Sequence, residues 1–431
     1  MHGDFSSPQQ EERAPIDRRR VLWTYDGMLR ALTRATRRPD PETAAPLDAS
    51  RFEPYFAWAD RKYDLEGEAE PLALRRFSWN MDLSVLPEEL VLRFSPPSWR
   101  LDQAQLFALT RSLLPVSLVW GAPENDPVTP LGAIAAMHAA MGHQVFVLAP
   151  TGEAADEAAL GVDAMLMRLF GAPLPGAVVR AGAPGRAALA CQERLFAWER
   201  AVRRHAAAIS LARGELAALE RALATVPELW HAELHARRSA AHLGLGWATS
   251  RLSREHEELC ARALVVVTTV EDAFLEPVLR DLMCSAPPAE EGPAPSPSSA
   301  CRALIRWTRE HPMDADEADP DGPGRAPILD GRRRTLIFHG ATAIPRYAAL
   351  PLFDVHAHHV ILLGGPQATT PALPQDLAGD SNARFWLEES LFDAAGFHDG
   401  DSCRQALAGR GALTDLAATA VPSAAACAGG G

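Results

Sequence analysis

Apolar positions along the chain follow two periods, and the change of period marks the elements. Short apolar runs of buried-strand type recur near residues 116, 145, 177, 263, 334 and 359: Val116 to Trp120, Val145 to Leu148, Ala177 to Arg180, Ala263 to Val270, Arg334 to Phe338 and His359 to Leu363. Helical patterns separate them. The clearest unit is residues 116–150, where a strand, a turn rich in Gly, Pro, Asn and Asp, a helix over Leu131 to Met141 and a second strand follow one another. Two strands joined through one helix make a βαβ unit and so predict a parallel sheet. A helix opens at Leu101 just before the first strand, and another starts behind Thr151, which offers a cap ahead of the acidic Glu153, and runs to about Phe170. The pattern as a whole predicts a doubly wound α/β domain.

The rest of the chain divides around that domain. Residues 1–20 are polar and charged and read as a disordered tail. Residues 21–97 form a lead-in subdomain, with an amphipathic helix over Val21 to Arg38 and a group of aromatics that suits core packing better than base stacking. The α/β domain takes 98–186 and 263–400. Residues 187–262 are Ala, Leu, Arg, Glu and His with helical periodicity, broken at Pro227, and predict an antiparallel helical hairpin that projects as a strut or partner surface. Residues 284–330 are Pro-rich and then acidic, a surface insertion around a short helix at Arg302 to Glu310. Residues 401–431 form a C-terminal tail.

Composition narrows the function classes. A net charge of −13 over 431 residues argues against broad electrostatic capture of nucleic acid, and 47% apolar residues suffice for a core. The six cysteines are scattered without a CxxC pair, so neither a disulfide framework nor a zinc cluster of cysteines is indicated. The N-terminus has no signal-peptide core, and no apolar run is long enough to span a bilayer. The expectation is an intracellular protein, cytoplasmic or nuclear, with no membrane association.

The turn after the first strand is where a phosphate would be cradled. A working phosphate loop needs glycines, a Lys for the β- and γ-phosphates and a Ser or Thr for Mg²⁺. Here the turn runs from Gly121 through Pro123 and Asp126 to Thr129. Pro127 stands where the Lys belongs and Val128 where the hydroxyl belongs. Between Arg111 and Arg168 there is no Lys or Arg, and the chain's single Lys is Lys62.

The spacing of these segments resembles the first RecA-like domain of superfamily 1 helicases, in the group that contains the nonsense-mediated-decay and immunoglobulin-mu-binding helicases. The match covers roughly residues 98–397. Leu101-Asp102 with Gln105 is similar to the family's adenine-reading motif, and Leu118 to Pro123 to the strand and opening of its phosphate loop. Val147 to Thr151 with Asp156 is similar to a motif that contacts the nucleic-acid backbone. Val179-Arg180-Ala181-Gly182 resembles a family strand, and Val266 to Thr269 the strand ending in a Thr that touches nucleic acid. Ser390-Leu391-Phe392 matches a later signature. The resemblance thus implies a RecA-like P-loop NTPase fold, an adenine-facing Gln105, and nucleic-acid contacts at Thr151 and Thr269.

The same alignment puts non-catalytic residues at the ATPase positions. His339 falls on the Mg²⁺-binding Asp, Gly340 on the catalytic Glu, Gly365 on a later Asp and Ala368 on a γ-phosphate-sensing Gln. The implied protein is a pseudo-ATPase: no catalytic residue, no expected cofactor, a vestigial pocket of Gln105, Gly121, Pro123, Asp126 and Thr129, a protein partner on the hairpin, and residual contact with RNA or DNA. The alternative is an ATP-dependent helicase subunit or fragment, binding ATP and Mg²⁺, whose second lobe comes from elsewhere. One further run, Asp354 to His359, resembles the Asp-x-His-x-His strand end of metal-dependent amidohydrolases. There His356 and His358 would share a metal, with His339 as a third ligand. That family follows the motif with a (β/α)₈ barrel of about 200 further residues. Only residues 360–431 follow here, so the run is read as exposed histidines in a loop.

Overall fold

The computed structural model describes most of residues 103–284 and 333–394, together with 413–415, with short gaps that include 122–127, 186–194, 349–354 and 366–369. The segments expected at 1–97 and in the insertion around 302–310 lie outside the described residues, as does the tail except for 413–415.

The described residues form one seven-stranded sheet in the order β3-β4-β2-β5-β6-β1-β7. The strands are β1 (Val116–Trp120), β2 (His143–Ala149), β3 (Val178–Arg180), β4 (Val265–Thr269), β5 (Arg333–His339), β6 (His359–Gly364) and β7 (Leu413–Asp415). Every pair is parallel. A parallel sheet must be covered on both faces, which is why these strands read as nearly unbroken apolar runs.

Side chains alternate between the two faces along each strand. Val119, Val145, Val147, Val178, Val265, Val267, Ile337, Ile361 and Leu363 face one layer of helices: α1 (Gln103–Arg111), α2 (Val128–Ala140) and α3 (Gly152–Phe170). Leu118, Trp120, Phe146, Leu148, Val179, Val266, Leu336, Phe338, Val360 and Leu362 face the other layer. That layer holds the bases of α4 (Ala197–Thr225) and α5 (His231–Arg262), then α6 (Val270–Leu275), α7 (Pro277–Cys284) and the short α8 (Leu391–Ala394). Each fully buried Leu, Val or Phe contributes about 1.5–3 kcal/mol, so these two cores hold the domain.

Helices α4 and α5 run antiparallel. Arg204 and His205, near the start of α4, both meet Glu255 near the end of α5, at 2.6 Å each. Their bases join the sheet through Ala201, Ile209, Leu252 and Leu259. Farther out, Leu216, Leu219 and Ala241 form a small cluster of their own. At 1.5 Å per residue the 32-residue α5 is about 48 Å long. Its outer half packs on α4 through that small cluster and is otherwise largely exposed. No helix among the described residues is long and apolar enough to cross a membrane.

Candidate functional site

The sheet order creates a topological switch point at the β1–β6 pair. From β1 the chain passes through α2 toward β2, over β6 and β5. From β6 it passes the other way, over β1 to β7. The two connections leave on opposite faces, since α2 packs on one core and α8 on the other. In open α/β sheets the crevice outside the carboxyl ends of such a strand pair is where ligands bind. The ends of β1, β6 and β5 bring Gly121, Gly364-Gly365 and His339-Gly340 together there.

Among the described residues the strand ends at that crevice pack closely on one another. The Gly121 N–H donates to the Gly364 carbonyl at 2.8 Å, which continues the β1–β6 ladder past Trp120. A Cβ on Gly365 would lie 2.6 Å from the Gly121 carbonyl oxygen, and one on Gly364 would lie 2.6 Å from the Phe392 ring. Thr342 donates to the Gly365 carbonyl at 2.9 Å. Gly340 has φ +65°, a left-handed conformation that side chains resist, and faces the Pro150 ring at 3.3 Å. His339 is buried.

The cover is held by local chemistry. Ser390 and Asp393 cap each other at the start of α8: the Ser390 N–H and hydroxyl donate to the Asp393 carboxylate at 2.8 and 2.7 Å, and the Asp393 N–H donates back at 3.1 Å. The capped turn seats Phe392 against Trp120, edge to face at 5.5 Å between centroids. The Leu391 N–H donates to the Ile344 carbonyl at 2.9 Å, and Arg346 is ion-paired with Glu389, which fastens 341–348 to 389–393.

The two threonines expected at nucleic acid are helix caps. Thr151 accepts from the Ala154 N–H at 3.2 Å at the start of α3, and Thr269 accepts from the Asp272 N–H at 3.0 Å at the start of α6. They share one edge, because Ala149 pairs with Thr269 across β2 and β4. Thr151 is exposed and Thr269 buried. The Glu153 amide at the start of α3 lies against Gly185, beyond β3, where an added Cβ would come within 2.4 Å of it. Arg180 and Asp156 face each other at 3.0 Å and are both fully buried, with Arg180 also donating to the Ala181 carbonyl. Burial pulls the Arg180 pKa down while Asp156 and Asp272 hold the charge. These two residues form an internal tie rather than a surface for phosphates.

Of the remaining expected residues, Gln105 on α1 and Thr129 on α2 are half-buried. Pro123, Asp126, Ala368 and His356 lie outside the described residues. The suggestion that His339 joins His358 at a metal is corrected by the register. Thr335 pairs with His359 and His339 with Leu363, so the two histidines sit at opposite ends of the sheet, about 13 Å apart along the strands. His358 is instead tied to β5, its Nδ1 accepting from the Arg334 N–H at 3.2 Å.

The opposite edge holds a group that sequence reasoning missed. His138, His143 and His359 each offer a ring nitrogen within 4.8 Å of the others. His138 is on the last turn of α2, while His143 and His359 open β2 and β6. Both strand residues share parity with the side chains that face α2. Thr335 of β5 lies between them. Burial, reinforced by neighbouring histidines or Arg333, lowers the pKa of all three, that of His143 to about 3, so they are neutral at pH 7. A signal existed in the lone histidines of an otherwise apolar stretch, AAMHAAMGHQVF, but nothing in it named His359 as the third member. No protein-family model matches the chain, and no curated protein sequence matches it.

Proposed function

We propose that the chain is a pseudo-ATPase of superfamily 1 helicase type, a RecA-like module that acts by binding rather than by hydrolysis. One observation carries the reading. At the switch point, where nucleotide chemistry would be done, Gly340, Gly364 and Gly365 sit against Pro150, Phe392 and the Gly121 backbone. A carboxylate at 365 has no room, and one at 340 would need a strained backbone. The closure therefore fits a site rebuilt as core. The strand order supports the same reading, since the strand before the degenerate phosphate loop and the strand before His339 are separated by β6 alone.

We assign binding to the α4–α5 pair. Leu211, Trp230, Leu243 and Trp247, the exposed large apolar residues among those described, all lie on α4 or α5 or at the turn between them. Leu243 and Trp247 are one helical turn apart on one face. Exposed aromatic and aliphatic anchors of this kind suit a protein partner. RNA or DNA would have to use Thr151 and Thr269 while their oxygens cap helices.

The test is a titration of labelled ATP against the purified full chain, with and without Mg²⁺. No saturable binding up to millimolar ATP is expected from a chain that is folded by circular dichroism. Micromolar, Mg²⁺-dependent binding would overturn the pseudo-ATPase reading and favour a helicase subunit completed by a second lobe. Labelled single-stranded RNA and DNA added in the same assay test the nucleic-acid part.

A further inference from the structure

We propose that His138, His143 and His359 bind a divalent first-row metal ion, with zinc the best fit, at the amino edge of the sheet.

The Ser112 hydroxyl donates to the Leu109 carbonyl at 2.6 Å. Its oxygen can therefore only accept from His138 Nε2, which lies 3.1 Å away. That fixes the proton of His138 on Nε2 and leaves Nδ1 as a lone pair. Likewise His359 Nδ1 is 3.1 Å from the Leu114 carbonyl, an acceptor, so it carries the proton and leaves Nε2 free. His138 Nδ1 lies 3.0 Å from His143 Nδ1, and Thr335 Oγ1 is 3.0 and 3.1 Å from those two nitrogens. One hydroxyl proton serves at most one of the two. With the His143 proton on Nε2, its Nδ1 joins the other two rings in offering a lone pair, and the three rings each bring a ring nitrogen within 4.8 Å of the others.

Metal-binding histidines usually donate their second N–H to a carbonyl or another fixed acceptor, which sets the tautomer and the ring angle. The Ser112–Leu109 relay and the Leu114 carbonyl supply that second layer for two of the three rings. In a tetrahedral zinc site with bonds near 2.1 Å, ligand nitrogens stand about 3.4 Å apart. The 3.0 Å separation and the 4.8 Å outer limit bracket that value. Small ring movements bring the set into range. Thr335 Oγ1 stands beside the ligand nitrogens and can complete four-coordination. Imidazole nitrogen suits zinc, copper, iron and nickel, and zinc alone has no geometric preference of its own to oppose this frame. The role is structural, because the site is buried and its ligands fasten α2, β2 and β6 to one another.

The test is metal content. The full chain, with any purification tag removed, is incubated with excess ZnSO₄, passed through gel filtration and analysed by mass spectrometry. About one zinc per chain is expected, falling at least tenfold in His359→Gln. Replacement of the exposed His235 by Gln serves as the control and should leave the content unchanged. A second reading needs no variant: CoCl₂ added to chelator-treated native chain should give the visible absorption of tetrahedral cobalt. Less than a tenth of a zinc per chain with no cobalt spectrum would overturn the proposal. So would a zinc content that His359→Gln does not change. ATP binding has no bearing on either result.

Discussion

Replacing Gly365 by Ala tests the closed switch point directly. The added methyl would stand 2.6 Å from the Gly121 carbonyl oxygen, and real Cβ atoms essentially never come within 3.0 Å of such a neighbour. The neighbour is backbone at the end of β1, so no side chain can swing aside. The strand ends must part, which strains the Gly121 N–H to Gly364 carbonyl bond of 2.8 Å and the Thr342 to Gly365 carbonyl bond of 2.9 Å. Overpacking of this kind costs about 1–3 kcal/mol. Two weakened hydrogen bonds add up to about 1 kcal/mol each. The expected loss is about 2–4 kcal/mol, or on the order of 2–8 °C in Tm at this size. Thermal and urea unfolding followed by circular dichroism measure it. Gly214→Ala on α4 is the control: nothing lies within 4 Å of its Cβ, so helix propensity alone should stabilise by about 0.8–1 kcal/mol. If Gly365→Ala melts within a degree of the native chain, the crevice is open and the pseudo-ATPase reading loses its main support.

Asp156→Ala removes the nearest counter-charge of buried Arg180, leaving Asp272 and the Ala181 carbonyl to hold it, and should cost about 3 kcal/mol in urea unfolding. An effect below about 1 kcal/mol would show that the pair is hydrated. Stability should also fall as pH drops from about 6.5 toward 3. The unfolded chain takes up protons on histidine near 6.5, whereas folded His143 takes one up only near 3, chiefly because it is buried. The unfolded state then binds more protons throughout that window, so stability rises with pH across it and is flat above. Urea midpoints that stay constant from pH 7 to 4.5 would contradict this. Leu243→Ser with Trp247→Ser should shift stability by less than about 0.5 kcal/mol per site, since both side chains are exposed. A large loss in the urea midpoint would mean that these residues pack against the body rather than wait for a partner.

The strands were legible because a parallel sheet buried on both faces writes itself as apolar runs, and the six expected runs coincide with β1 to β6. The Thr151 cap and the end of α3 at Phe170 were equally local and equally readable. β7 was missed. Leu413-Thr414-Asp415 has no apolar run, and its pairing with β1 is set by long-range contact. Glycines 340 and 365 were visible only as absent catalytic residues, and Gly364 carried no reading of its own. Their reasons, a left-handed φ and approaches to Phe392 and Gly121, are tertiary. The histidines mislead for the same reason. His356 and His358 attract attention by adjacency, yet the cluster draws on His138, His143 and His359 from three elements, which only the register of β2, β5 and β6 brings together.

Closure at the carboxyl edge differs from simple loss of catalytic residues. Deleting a Lys or an Asp from a cleft leaves space for water, and the neighbours relax only partly. Here no such space remains between Gly365 and Gly121, and Gly364 is the residue that lets Phe392 pack against the end of β6. Phe392 in turn depends on the Ser390–Asp393 cap that starts its helix turn. These features support one another, so each would be unfavourable without the rest, and reopening the crevice would sacrifice core packing. The edge thereby contributes stability in the place where a nucleotide-binding protein sacrifices it. On the proposed reading, function falls to surface that folding leaves unsatisfied. Two tryptophans and two leucines exposed on α4–α5 are such surface, and the small cluster of Leu216, Leu219 and Ala241 packs the two helices on each other.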